Sequence, residues 1–401
     1  MMTPKQIAIA ATMILCSHTG TTAQMLPLID NNLYFNADRV WSYNLYEHSR
    51  WGGGLRWTAT PTWADGNRLT ADAYMGYGLH DQQWKWGISF ATAFAKSHNS
   101  FGAHVSLVRD LIPAGSRSQG SATLADISSF SSFMNRRMAM ATQVSGGITW
   151  RKKQIKYITE LHVHNGSILY NNFKLTYPYE VGEMLPRYSD VGLRCKMQHD
   201  RGLSAEIKAG YNTFPADRPY LRMLLQYNST YTINQFTLNI FSQAGILPTG
   251  AKGSYMQAFD LGGTCGAPIF FEHSLLTVKP NEFTTNKFIY TTINLKFKKP
   301  ILKYYNNIVM LGIAPRPFIQ ISGAIGSIDA EYYAQRDGLT DLQAPSQGIA
   351  EGAAGIEGIL RWGAVDWGLA IACRLTPHSA SYNYTNTTDN FRLLLTASLW
   401  M

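Results

Sequence analysis

Along most of this chain hydrophobic and polar residues alternate with a period of two, in blocks of about ten residues. From Trp51 the apolar positions are Trp51, Gly53, Leu55, Trp57, Ala59 and Trp63, and Arg56, Thr58, Thr60 and Thr62 fall between them. The next block sets Leu69, Ala71, Ala73, Met75, Tyr77 and Leu79 against Thr70, Asp72 and Tyr74. The pattern recurs over 84–94, 103–107, 138–150, 155–163, 191–197, 203–211, 221–227, 236–240, 293–297, 319–325, 356–362 and 367–373. Successive side chains on a strand point to opposite faces, so each block predicts a strand with one apolar and one wet face. Ten residues is about what a tilted strand needs to cross hydrocarbon.

A soluble β-sandwich alternates in the same way, but three features favour a membrane barrel. Tryptophan and tyrosine collect at block ends, where interfacial girdles need them. The wet faces carry charge on many strands. The last block reads Phe391, Leu393, Leu395, Ala397, Leu399, Met401 with Trp400 penultimate, and it resembles the terminal signal read by barrel-assembly machinery. The expected fold is therefore all-β, a transmembrane outer-membrane antiparallel β-barrel. Short links at 151–154 and 363–364 and long ones at 110–137, 165–188, 247–286, 327–348 and 375–389 fit short periplasmic turns and long outer loops. With 34–46 as the first strand, the count comes to about 16 strands (range about 14–18) and is even, with both ends in the periplasm.

The first residues add a targeting expectation. Lys5, the apolar run 7–15 and small residues up to Ala23 read as a secretory signal peptide over 1–23. Residues 24–33 then form a short periplasmic lead and 34–401 the barrel, in the cell outer membrane. Charged residues make up 15% and aromatic ones 12%, with 34 glycines, a balance that suits a barrel better than a soluble domain. The formal charge of +9 is spread out, with no block longer than Arg151-Lys152-Lys153, so nucleic acid is not an expected partner. Outer-membrane lipid or lipopolysaccharide, and the barrel-assembly machinery during biogenesis, are. Past the signal, Cys195, Cys265 and Cys373 form neither a disulfide framework nor a zinc pattern.

Candidate chemistry is sparse. His162-Val163-His164-Asn165-Gly166-Ser167 is near the His-x-Ser-Asn-Gly run of outer-membrane lipid hydrolases, in which serine attacks an ester and histidine takes its proton. Here, however, His164 holds the serine position. Leu161 and Val163 face lipid in this register, so both histidines point into the lumen. A metal held by the pair needs a further ligand that the sequence does not identify. Gly262-Gly263-Thr264-Cys265-Gly266 and the glycines of 352–358 lack the strand-turn-helix setting of a nucleotide loop. The lumen candidates are Glu160, His162, His164, Arg194, Lys196, Glu206, Lys208, Glu357 and Arg361, beside Arg56, Asp72, Lys296, Asp366 and Arg374. Both signs are interleaved, which predicts mutual pairing more than an ion-selective pore. No catalytic, cofactor-binding or metal set is assigned, and no cofactor is expected.

Tyr74-Met75-Gly76-Tyr77-Gly78-Leu79-His80-Asp81-Gln82-Gln83-Trp84-Lys85-Trp86-Gly87 resembles the Tyr-Gly-x-x-Asp-x-x-Trp-Lys-Tyr hairpin of an uncharacterised outer-membrane β-barrel family. Its longer members place a carboxypeptidase-regulatory-like domain before the barrel. The segment 34–41 is similar to that family's opening element, without its Glu-Gly. The resemblance implies a barrel and no agreed activity, and the N-terminal domain has no counterpart here. The expected function is non-enzymatic transport or surface interaction, with 247–286 and 110–137 as contact loops. The alternatives are a lipid-modifying hydrolase on His162 and His164, and an accessory of outer-membrane protein assembly or secretion.

Overall fold

The computed structural model describes residues 25–29, 32–36, 41–42, 49–59, 67–96, 99–113, 138–169, 187–214, 218–261, 263, 270, 272–278, 282–306, 311–337, 342–362, 365–376 and 390–399. The expected signal peptide, most of the loops at 110–137 and 165–188, and the loop at 377–389 lie outside these residues. In chain order the strands are β1 (Met25–Ile29), β2 (Leu33–Asn36), β3 (Trp41–Ser42), β4 (Arg50–Ala59), β5 (Asn67–Gly78), β6 (Trp84–Lys96), β7 (Asn99–Pro113) and β8 (Met138–Lys152). There follow β9 (Ile155–Leu169), β10 (Arg187–His199), β11 (Leu203–Phe214), β12 (Arg218–Ile233), β13 (Phe236–Ile246), β14 (Phe259–Asp260) and β15 (Thr284–Thr285). The remainder are β16 (Lys287–Phe297), β17 (Tyr304–Asn306), β18 (Leu311–Ile313), β19 (Arg316–Ser327), β20 (Ile349–Trp362), β21 (Val365–Arg374) and β22 (Phe391–Leu399), and the described residues also include a 3-10 turn (Tyr255–Gln257) and an α-helix, α1 (Ala330–Asp337).

Every strand but β14 and β15 belongs to one sheet, whose ladders are all antiparallel and join strands adjacent or nearly adjacent in sequence. Among the described residues the sheet has seventeen lines. β2 and β3 both pair with β4 and form a single line, as expected for 34–46, while β17 and β18 prolong the β16–β19 hairpin, with β18 paired to β20. The even count expected from the sequence is exceeded by β1, which lies in the supposed periplasmic lead and pairs with β2. Pro27 stands where its register slips. Proline cannot donate to a ladder and is tolerated at edges and bulges, so β1 suits an edge. Among the described residues no ladder joins β22 to β1 or β2.

Alternation became facing direction as the period of two predicts. On β9, Leu161 is 55% exposed and Val163 43%, whereas His162 is 2% and His164 7%. Outward apolar residues such as Trp51, Leu55, Met75, Phe90, Val105, Ile148, Leu193, Ile207, Ile293, Ile321 and Ile371 continue this band around the sheet. Aromatic pairs flank the turns: Tyr77 with Trp84 (ring centroids 5.0 Å), Trp150 with Tyr157 (5.6 Å) and Phe236 with Phe297 (4.6 Å). Along β6 from Trp84 to Phe94 the chain climbs about 25 Å, allowing for tilt, which is the height of a barrel's apolar band.

Two local devices shape the wall. Lys153 and Asn234 adopt positive φ at the short turns after β8 and β12. Gly358 (φ +72°) makes a bulge where the β20–β21 register slips, and a Cβ there would lie 2.4 Å from the Ala314 carbonyl oxygen. The slip is of two residues, so parity is kept across it: Ile356 and Leu360 face outward, Glu357 and Arg361 inward, and Ile359 within the bulge is exposed against the alternation.

The barrel interior as candidate functional site

The expected lumen charges are brought together as pairs. Arg194 lies 2.8 Å from Glu206 and 3.7 Å from Glu160, and Arg222 shares Glu206 at 3.3 Å. Lys196 faces Glu206 across the β10–β11 ladder. Lys296 bonds Glu357 at 2.9 Å. Arg361 and Arg316 both reach Asp366, at 2.7 and 2.8 Å. Arg56 holds Asp72, and Arg50 holds Asp110, which also accepts from the Tyr74 hydroxyl at 2.7 Å. A buried charge is tolerable when paired and hydrogen-bonded, and interleaved signs on neighbouring strands achieve that.

The wet face is not polar all round. From β12 to β22 the inward side carries Leu224, Phe241, Phe288, Tyr290, Phe318, Ala353, Ala370, Ala372 and Leu394, all buried. What they pack against is the segment expected as an outer contact loop. The described residues of 247–286 turn inward: Leu247, Tyr255, Ala258, Phe259, Leu261, Leu275, Val278 and Phe283 are almost wholly buried. Phe259 meets Phe288 (5.0 Å), Phe270 meets Phe318 (4.8 Å), and the Arg222 guanidinium lies 4.4 Å from the Phe259 ring centre. A Cβ at Gly245 would strike the Phe288 and Phe259 rings, so that glycine clears their seat. The surface-loop expectation for 247–286 is corrected because the facing wall is apolar, and each large side chain buried on it contributes about 1.5–3 kcal/mol.

Polar contacts fix the segment by its backbone. The Glu351 carboxylate accepts from the Leu276 N–H (2.6 Å), the Thr277 N–H (2.9 Å) and the Thr277 hydroxyl (2.8 Å). Arg374 donates to the Thr277 carbonyl at 3.0 Å and Arg392 to the Leu276 carbonyl at 3.1 Å. The Phe270 N–H donates to the Leu395 carbonyl of β22 at 2.7 Å. Glu272 adds an ion pair with Lys296 at 3.2 Å. Burial alone would raise the Glu272 carboxyl, but the Lys296 ammonium, with His273 and Asn239 beside it, outweighs that and holds it below its ordinary value. Above the segment, α1 contributes Tyr333, which accepts from Asn286 at 3.0 Å, and Tyr332, which donates to the Gly253 carbonyl at 2.9 Å.

His162 and His164 do point inward, as the alternation predicts, and both meet Asp190. His164 Nδ1 is 2.6 Å from one carboxylate oxygen, and His162 Nε2 is 3.3 Å from the other. The Tyr220 hydroxyl donates to that second oxygen at 2.7 Å and lies 3.1 Å from His162 Nε2. Lys208 Nζ stands 3.7 Å from Asp190. The hydroxyl bonded to His162 is thus a tyrosine's and not a serine's, and both residues are buried. Asp190, Tyr220, Arg222 and Glu351 were not singled out from the sequence. Asp190 shares the parity of Arg194 and Lys196 on β10, which places it inward, but its meeting with His164 depends on the β9–β10 register.

No protein-family model matches the chain, and nothing among curated proteins matches it. Among solved structures it is similar to BamA from Haemophilus ducreyi lacking POTRA domains 1–3, at 11% identity and a TM-score of 0.50, over 98% of this chain and 78% of that one. CdiB from Acinetobacter baumannii is 10% identical with a TM-score of 0.40, over 85% of this chain and 56% of that one. CdiB from Escherichia coli is 11% identical with a TM-score of 0.43, over 89% and 61%. The chain therefore spans less than two thirds of either CdiB. At these identities the likeness is one of fold. Ladder, apolar band and fold likeness together make this chain an antiparallel β-barrel of the outer-membrane type.

Proposed function

We propose that this chain is a non-enzymatic barrel of the cell outer membrane that passes or inserts polypeptide, in outer-membrane protein assembly or secretion, and that the described in-folded residues of 247–286 close it at rest. The observation that carries this reading is how the wall holds its own segment. Glu351, Arg374, Arg392 and the Leu395 carbonyl all address main-chain N–H and C=O groups of 270–277. Groups that read a backbone are indifferent to side chains, so a wall exposed by departure of the segment suits an extended chain of any sequence. Paired charges of both signs elsewhere in the lumen offer no ion-selective route. Kinship with the barrel family resembled at 74–87 belongs to the same proposal.

Conductance across a planar bilayer tests it. The intact barrel is expected to stay closed, and a variant lacking 263–278 to conduct. Unstructured polypeptides unrelated in sequence should block that current with similar affinity, while sugars should not. A deletion variant that conducts but is blocked by sugars and not by polypeptide contradicts the reading. So does an intact barrel that conducts steadily.

A further inference from the structure

A second interior feature borders the start of the in-folded segment, where Lys252 bridges Tyr220, and the polypeptide reading makes no use of it. We propose that His162, His164 and Asp190 form a binding site for a divalent transition metal of the zinc class, with the Tyr220 hydroxyl as fourth ligand or as the group that orients Asp190. His162 and His164 are separated by one residue on β9, so their rings stand side by side on the inward face with centroids 4.9 Å apart. Asp190 is the direct ladder partner of His164. One donor atom from each of the three falls within 4.8 Å of the others, and all three residues are buried. Ligands about 2.0–2.1 Å from a tetrahedral zinc stand about 3.3 Å apart. The His162–Asp190 and His162–Tyr220 separations of 3.3 and 3.1 Å already have that length.

Space around the cluster has been cleared by two glycines. His162 faces Gly192, Gly192 faces Gly210, and Gly210 faces Tyr220, along one row of three ladders. A Cβ at Gly192 would lie 2.2 Å from the Tyr220 oxygen and 2.8 Å from His162 Nε2, and one at Gly210 would lie 2.6 Å from the same oxygen. Without those glycines Tyr220 could not reach across to Asp190. Two imidazoles and one carboxylate favour zinc, cobalt or nickel over calcium or magnesium, which take all-oxygen sets. Ligands fixed on paired strands also need little rearrangement on binding. Lys208 opposes the site, since its ammonium sits 3.7 Å from Asp190 and repels a dication.

The test is a titration of the full refolded barrel, stripped with chelator, using Co²⁺ followed by optical absorption and Zn²⁺ in competition. The expected result is one equivalent per chain, with the visible band of cobalt bound by imidazole. His162→Gln and His164→Gln should each weaken binding by more than the roughly 10–100-fold that follows loss of an outer-shell partner, and Tyr220→Phe by an amount within that range. Lys208→Met should tighten it by at least about tenfold, because a like charge at this distance is removed. Asp190→Asn, nearly isosteric, covers the case in which a histidine variant fails to fold. Absence of stoichiometric cobalt in a folded barrel overturns the site, as does binding unchanged by Asp190→Asn or unaffected by Lys208→Met.

Discussion

Glu351 anchors the in-folded segment to the wall. It sits on β20 and accepts three hydrogen bonds from Leu276 and Thr277. Glu351→Ala leaves two buried N–H groups without an acceptor, at about 1–3 kcal/mol each. The in-folded segment should then dock about 3 kcal/mol more weakly, raising the open fraction on the order of a hundredfold; single-channel recording reads that rise directly. Glu272 gives the same contact a pH dependence. Its carboxyl is held below the ordinary value of 4.5 in the docked state, so its contribution is fully present above that value and is lost as pH falls below it. Openings should become more frequent as pH drops through that range, and a Glu272→Gln barrel should lose this dependence. Most of these residues could be placed inward from the sequence because alternation fixes parity. Their partners could not, because which residue stands opposite which depends on strand register and on a loop that turns back into the barrel.

The hairpin of β5 and β6 shows how one stretch of sequence builds its own element. Lys85 is fully buried and pairs with Asp81 four residues earlier. Gly78 makes the room, since a Cβ there would lie 2.1 Å from the Asp81 carboxylate and 2.6 Å from the Lys85 ammonium. Gly87 likewise admits the Tyr74 ring, which would stand 2.4 Å from a Cβ. The glycine, aspartate, lysine and tyrosine of the motif at 74–87 are therefore a packing solution, and their spacing was readable before the fold was known. Asp81→Ala removes a charged partner from a buried ammonium and should cost about 1–3 kcal/mol, seen as earlier urea unfolding of the hairpin by hydrogen exchange. Other elements were less legible. β1 was hidden because five residues, Met25 to Ile29 with Pro27 among them, are too few to display a period. The bulge at Gly358 was hidden because a slip of register leaves the outward residues apolar on both sides of it.

At the scale of the whole molecule the inner wall divides in two. From β4 to β11 it is lined by ion pairs and by the His162–His164–Asp190 cluster, whereas from β12 to β22 large apolar side chains stand among the charged and amide groups and pack against the described residues of 247–286. The apolar inward positions Phe241, Phe288, Tyr290 and Phe318 were the available signal for that filling. A barrel lumen facing only water has no use for them, and something apolar must cover them. The alternation rule passed over them because it asks only that the lipid face be apolar. Filling of the lumen by a segment held through its backbone is the claim on which the functional reading depends. Hydrogen exchange at the amides of Leu276 and Thr277 in the folded barrel tests it most directly. The account predicts slow exchange there, comparable to the wall strands, and its loss in Glu351→Ala. Exchange at those two amides as fast as in a solvent-exposed loop would contradict it.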